Sequence, residues 1–177
     1  MSVYVNEKFK SRKITHLSRI FPHFETCVVE IFLTKNFSFF LVGLYRPPNP
    51  NLSDFFNALN TLINTEFTNN SNVFFIGDFN IDISNFSLPG QELFHNFVNY
   101  DFFSLIDEPT RISNSERIIN HIWTNIFQNY KSFVIQSDIS DHFIIGTSFK
   151  MLSPLQKQKK IFQEPFSICS TKFCIKI

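Results

Sequence analysis

The stretch V-F-F-I-G-D-F-N, positions 73–80, decides how this chain is read. Val73-Phe74-Phe75-Ile76 is a short continuous apolar run, the pattern of a strand covered on both faces. Gly77-Asp78-Phe79-Asn80 then ends it with an aspartate and an asparagine. Strand ends facing open space are where layered α/β proteins place their chemistry, so Asp78 and Asn80 are the first candidates for function. Taken alone, Asp-x-Asn after a strand also reads as a turn former.

Working outward from this run, Phe37–Leu44 is a second strand, rich in aromatic and branched residues and stopped by Tyr45-Arg46-Pro47-Pro48. Cys27–Leu33 and Val3-Tyr4-Val5 read as earlier strands. Apolar residues at 52, 55, 56, 59, 62, 63 and 67 fall at helical spacing, with Asn51 or Ser53 as N-cap. A second helix is expected over Gln91–Tyr100, burying Leu93, Phe94, Phe97 and Val98. Strands follow near Ile118–Thr124, Ser132–Gln136 and Phe143–Phe149. Strands with helices between some of them predict an α/β layered fold with mixed sheets, not a regular alternation of strand and helix. Residues 1–150 form the domain, and 151–177, with Gln156-Lys157-Gln158-Lys159-Lys160, read as a polar linker or frayed tail.

The chain has 177 residues, 44% of them hydrophobic, and a net charge of +1, which fits a single globular domain and excludes a strongly disordered one. A near-neutral balance carries no global nucleic-acid signature, so any DNA contact must come from a local patch. Cys27, Cys169 and Cys174 have neither zinc nor thioredoxin spacing, and their odd number argues against a disulfide framework. No apolar run approaches ~18 residues and the start lacks a signal-like apolar segment. An intracellular protein, nuclear or cytoplasmic and without a membrane partner, is the expectation.

Three further stretches put polar groups beside strand ends: Tyr45-Arg46-Pro47-Pro48, Ile119-Asn120-His121-Ile122-Trp123-Thr124-Asn125, and Ser140-Asp141-His142. Each alone has a plain structural reading as a turn, a core position or a solvated cap. Together with Gly77-Asp78-Phe79-Asn80-Ile81-Asp82 and Pro109-Thr110-Arg111, and in this order, the set resembles the endonuclease/exonuclease/phosphatase family. Within it, the set is similar to the apurinic-type endonuclease domain of non-LTR (LINE-like) retrotransposons, over roughly residues 1–150. The resemblance implies a DNase I-like layered α/β sandwich of two mixed sheets flanked by helices. It implies metal-dependent phosphodiester hydrolysis of DNA, with a hard cation, Mg²⁺ or Mn²⁺, as cofactor. By the same resemblance Asp78 orients or deprotonates the attacking water, and Asn80 holds the phosphate and fixes Asp78. His142 donates to a phosphate oxygen and Tyr45 reaches the phosphate. Asp141 lies at the metal, while Arg46, Thr110 and Arg111 contact the DNA.

Two departures temper that expectation. The family's metal-binding glutamate comes from opening strands that this chain lacks, since Met1–Asn6 resembles a later strand of the family; Glu7, Glu25 and Glu30 do not stand in its place. Asn120 stands where the family has an aspartate that steadies the histidine and supports its charge. The sequence therefore predicts an N-terminally truncated, impaired nuclease domain that self-associates through an exposed sheet edge. The alternatives are a non-catalytic DNA-binding remnant and a phosphatase of the same fold.

Overall fold

The computed structural model describes residues 1–48, 51–67, 71–85, 87–112, 115–136, 140–150 and 172–174. Its centre is a six-stranded sheet built from β1 (Lys10–Lys13), β2 (Glu25–Thr34), β3 (Phe37–Tyr45), β4 (Val73–Asp78), β5 (Phe103–Ser104) and β8 (Asn120–Thr124), in the order β1-β2-β3-β4-β8-β5. β3 and β4 run parallel, and the other neighbours pair antiparallel. Helices α1 (Leu52–Glu66) and α2 (Leu88–Val98) cover one face. β9 (Tyr130–Ile135), β10 (Ile144–Phe149) and β11 (Lys172–Cys174) form a second sheet on the other, and β6 (Arg111–Ile112) pairs with β7 (Glu116–Arg117) as a small ribbon. The architecture is the mixed, layered α/β sandwich expected from the sequence.

Period-two alternation explains why one sheet serves two cores. Val73 and Phe75 face the helices with Val42, Leu44 and Trp123, against Phe55, Leu59 and Ile63 of α1 and Leu93 and Phe97 of α2. Phe74 and Ile76 face the other way with Ile31, Leu41 and Ile122, against Ile145 and Phe149 of β10. All six residues of β4 are buried, as a strand packed on both faces requires. Phenylalanine fills the inner layer by edge-to-face contact, with Phe75 meeting Phe67, Phe97 and Phe102 at ring-centroid distances of 5.3 to 5.6 Å.

Helix α1 starts where its periodicity begins: the Asn51 side chain accepts from Ser53 N–H at 3.0 Å, the N-cap bond that stabilises a first turn. Helix α2 begins earlier than its apolar spacing suggested, capped by the Ser87 hydroxyl with Pro89 in its first turn. Residues 1–6 form no strand, contrary to the expectation for Val3-Tyr4-Val5; Val3 and Val5 instead pack, partly buried, against the inter-sheet core. The first strand is Lys10–Lys13, fully exposed and held through its backbone pairing with β2. Of the tail, 151–171 and 175–177 lie outside the described residues, while Lys172–Cys174 adds a strand to β10. No helix among the described residues is long and apolar enough to cross a membrane.

Candidate active site

The register of the central sheet assembles the site. Tyr45 pairs with Asp78 and Asp78 with Asn120, so three residues named by the sequence stand in one row across β3, β4 and β8. Neighbouring strands lie about 4.8 Å apart, and residues in one row share a face. That face is the one carrying Phe74, Ile76 and Ile122, so the row sits at the mouth of the space between the two sheets. Glu25, opposite Tyr45, extends the row by one strand, with its carboxylate 3.5 Å from the Met1 amino group. The sequence did not single it out for function, because a lone glutamate at a strand start carries no pattern; register alone places it here.

Asp78 is 6% exposed, and Asn80 grips it twice. Asn80 N–H donates to Asp78 Oδ1 at 2.9 Å and its side-chain amide donates to Oδ2 at 3.0 Å. The same amide donates to Arg46 O at 2.8 Å, and Asn80 adopts a left-handed φ of 48° that asparagine tolerates better than most residues. Burial pushes the Asp78 carboxyl above the usual carboxylate range, opposed by the Asn80 backbone bond and by the charges of His142 and Arg111. A carboxylate so oriented, with a raised proton affinity, suits a general base.

Arg46 is 3% exposed and turned inward. Its Nη1 donates to Phe79 O and Asn80 O, each at 3.3 Å, and its guanidinium lies 5.3 Å from the Phe55 ring centroid. It braces the turn that presents Asp78 and Asn80, and its burial puts it out of direct reach of a DNA backbone. Thr110 is likewise buried, at 0% exposure. Its hydroxyl accepts from Ile119 N–H and Asn120 N–H, both at 3.0 Å, and its carbonyl accepts from Phe143 N–H at 2.8 Å. Thr110 therefore ties the strand of Asn120 to the segment of His142. Of the three residues expected at the DNA surface, Arg46 and Thr110 occupy the layer beneath it, while the Arg111 side chain is 32% exposed.

His142 enters from the second sheet, just ahead of β10. Its Nδ1 lies 3.2 Å from Asn120 Oδ1, and since the amide oxygen can only accept, Nδ1 carries the proton and Nε2 is left for a ligand. Asp141 holds Arg111 in an ion pair of 2.5 Å; desolvation raises its carboxyl, and the hydrogen bond and charge of the Arg111 guanidinium, with the charge of His142, outweigh it and hold the carboxyl below the usual range. Among the described residues no three His, Cys, Asp or Glu side chains converge as metal ligands. Asp78 and Asp141 bring two carboxylates and no third such ligand, so the described donor set does not fit a divalent cation. The remaining motif residues act structurally. Asp82 Oδ1 accepts from Ile118 N–H at 3.1 Å, and Asn125 caps the start of β4 by accepting from Val73 N–H at 2.9 Å.

The two-sheet sandwich itself is shared with solved structures. The endonuclease domain of TRAS1, a telomere-specific non-LTR retrotransposon, superposes with a TM-score of 0.64 at 15% identity, over 80% of this chain and 67% of that one. The fold is that of the endonuclease/exonuclease/phosphatase proteins. A 3′ phosphatase from Neisseria, solved with a product DNA hairpin, matches at a TM-score of 0.54 and 13% identity, over 81% of this chain and 70% of that one. A protein of the endonuclease/exonuclease/phosphatase family from Leptotrichia buccalis matches at 0.50 and 18%, over 71% of this chain and 54% of that one. No protein-family model matches the sequence, and no curated protein does.

Proposed function

We propose that this chain is a phosphoesterase domain of the retrotransposon-endonuclease type, acting slowly on phosphodiester bonds of DNA at the Tyr45–Asp78–Asn120 row. The observation that supports this most is the double grip of Asn80 on the buried Asp78, facing His142 across the sheet mouth. Asp78 takes a proton from the attacking water as the new oxygen–phosphorus bond forms and the bond from phosphorus to the leaving sugar oxygen breaks, that oxygen taking its proton from solvent. His142 meets a phosphate oxygen with its ring protonated at both nitrogens, Nε2–H donating to the phosphate while Nδ1–H donates to Asn120, which fixes the ring. Tyr45, next in the row, reaches the same phosphate. Asn120 orients the ring but brings no negative charge to support an imidazolium, which is why turnover is slow. Mg²⁺ or Mn²⁺ is the cofactor the family resemblance implies. Since the described donors do not fit one, every step here belongs to the chain's own side chains.

The test is nicking of supercoiled plasmid, alongside phosphate release from a 3′-phosphorylated DNA hairpin, each with Mg²⁺, with Mn²⁺ and in EDTA. Asp78→Ala is expected to lower the rate by at least about 100-fold, the scale of losing a general base. Activity untouched by that change would place the chemistry elsewhere. Release from the hairpin without nicking would make the chain a phosphatase, and DNA binding with neither would make it a binding module.

A further inference from the structure

Between Lys8 and Phe24 the sequence holds Lys8, Lys10, Arg12, Lys13 and Arg19, and not one Asp or Glu. The whole chain is only +1, so everything outside this stretch is net negative and the positive charge is gathered in one place. All of these basic residues are exposed, and β1, which carries three of them, is exposed along its whole length. A single edge lysine is a common device against edge-to-edge pairing, so this many cations exceed what protecting the edge requires.

Backbone pairing sets the cations in line along the outer edge of β2. Lys10, Arg12 and Lys13 stand opposite Phe32, Glu30 and Val29. Ile14 N–H then donates to Val28 O at 2.9 Å. After residues 15–18 loop out, Arg19 O accepts from Thr26 N–H at 3.0 Å and Ile20 bridges to Glu25. That loop is pinned, with Leu17 buried and Ser18 Oγ donating to Ile14 O at 2.8 Å. From Phe32 to Glu25 the edge is about 23 Å long, at about 3.3 Å per residue. It ends at Glu25, in the row of Tyr45, Asp78 and Asn120. Glu30 engages Arg12 at 2.6 Å, and Arg19 is laid over the Phe21 ring, 4.5 Å from its centroid. Among the described residues no carboxylate pairs with Lys8, Lys10, Lys13 or Arg19.

We propose that this edge binds the phosphates of single-stranded DNA and leads that strand to the Asp78 row. The edge follows the strand direction, down the side of the sandwich and away from the mouth. Duplex DNA, stiff over about 150 base pairs, does not turn from mouth to edge within so short a length, whereas a single strand does. About 23 Å holds about four nucleotides of extended strand, the low end of the site sizes of single-strand binders. Lysine ammonium groups on flexible stems suit a backbone whose path varies. The destination of the strand rests on reading the row as a phosphoester site; the binding of its phosphates does not.

The test is fluorescence anisotropy of a labelled oligothymidylate with the full chain, in EDTA, over a series of salt concentrations. Lys10→Gln, Lys13→Gln and Arg19→Gln are each expected to flatten the plot of log affinity against log salt by about 0.7, the weight of one single-strand phosphate. The triple variant is expected to lose about 100-fold in affinity at about 0.1 M salt, and less than about threefold toward a blunt duplex. Lys150→Gln, at an exposed lysine just past β10, is expected to change the slope by less than about 0.2. No binding by the parent, an unchanged slope in the triple variant, or an equal loss from Lys150→Gln overturns the proposal. So does an equal loss toward the duplex, which would make the edge a duplex contact. So does a parent that binds phosphatidylserine vesicles and not the oligomer. Edge-dependent binding of the oligomer without nicking sinks the hydrolase reading and leaves this one. Nicking with binding indifferent to the edge does the reverse.

Discussion

Asn120 and His121 are neighbours in sequence and face opposite layers, so one belongs to the site and the other to the core. His121 is fully buried, with Nε2–H donating to Ile81 O at 2.9 Å and its ring 5.3 Å from Phe79. Burial pulls its pKa down from 6.5 to about 4, against the Ile81 bond and the Asp82 charge, which favour protonation. The sign follows from linkage: between those two values the unfolded chain binds the proton that the folded chain refuses, so stability falls as pH drops through that window. Above pH 6.5 the histidine is neutral in both states and contributes no slope. The loss between pH 6.5 and 4 is expected to be about 3 kcal/mol. Urea midpoints across that range should show the drop in the parent and its attenuation in His121→Gln. Parallel curves for the two would mean that the imidazole is not the group responsible.

At the scale of elements, Gly77 fixes how closely β3 and β4 approach. A Cβ there would stand 1.7 Å from Leu44 O and 2.7 Å from Leu44 C, both backbone atoms of the parallel neighbour. Neither can yield without breaking the ladder that aligns Tyr45 with Asp78. Gly77→Ala is therefore expected to destabilise by about 4 kcal/mol or more, the range reserved for a broken backbone constraint. Equilibrium denaturation read beside a conservative control such as Val73→Ile checks it; a cost below about 1 kcal/mol would show that the strands can part. The same contact explains why the motif begins with glycine, a reason invisible in the sequence. Elements with a strong apolar period were legible there: β2, β3, β4 and α1 came within a few residues. β1 was not, because Lys10–Lys13 bury nothing and are held by main-chain pairing alone. The start of α2 at Leu88 was not legible, because the apolar spacing begins only past Pro89 and Gly90. In place, Pro89 fits a first turn and Gly90 lets the helix approach Asp82, where a Cβ would lie 2.4 Å from the carbonyl oxygen. The candidate site was legible as residue types in order, in that Tyr45, Asp78 and Asn120 stand in one row. Its layering was not: Arg46 and Thr110 look like DNA contacts in one dimension and lie beneath the surface in three, because burial depends on register that no local pattern encodes.

Across the whole molecule, the open question is what becomes of the sheet edges. The central sheet ends on one side in β1, whose Lys10, Arg12 and Lys13 are exposed, and on the other in β5, two residues long. Charge protects the first edge and shortness the second, two common devices against edge-to-edge pairing. The second sheet ends in β9, six residues long, with Lys131 as its one charge and Ile135 50% exposed. Among the described residues no strand pairs with its outer backbone groups, so self-association is expected to run through β9 and not through β1. Two copies related by a two-fold axis would pair β9 antiparallel with itself, which sets the Ile135 ends near each partner's Tyr130 end. Ile135→Lys puts a desolvation cost and a second lysine on that strand without touching its pairing with β10. Sedimentation velocity over a concentration series should show the parent shifting to a dimer, and Ile135→Lys weakening the dissociation constant by about tenfold or more. A parent that stays monomeric throughout would mean that β9 is already covered within the chain. A dimer indifferent to Ile135→Lys but lost when Tyr4 or Ile20, both exposed, is made polar would move the contact to those side chains.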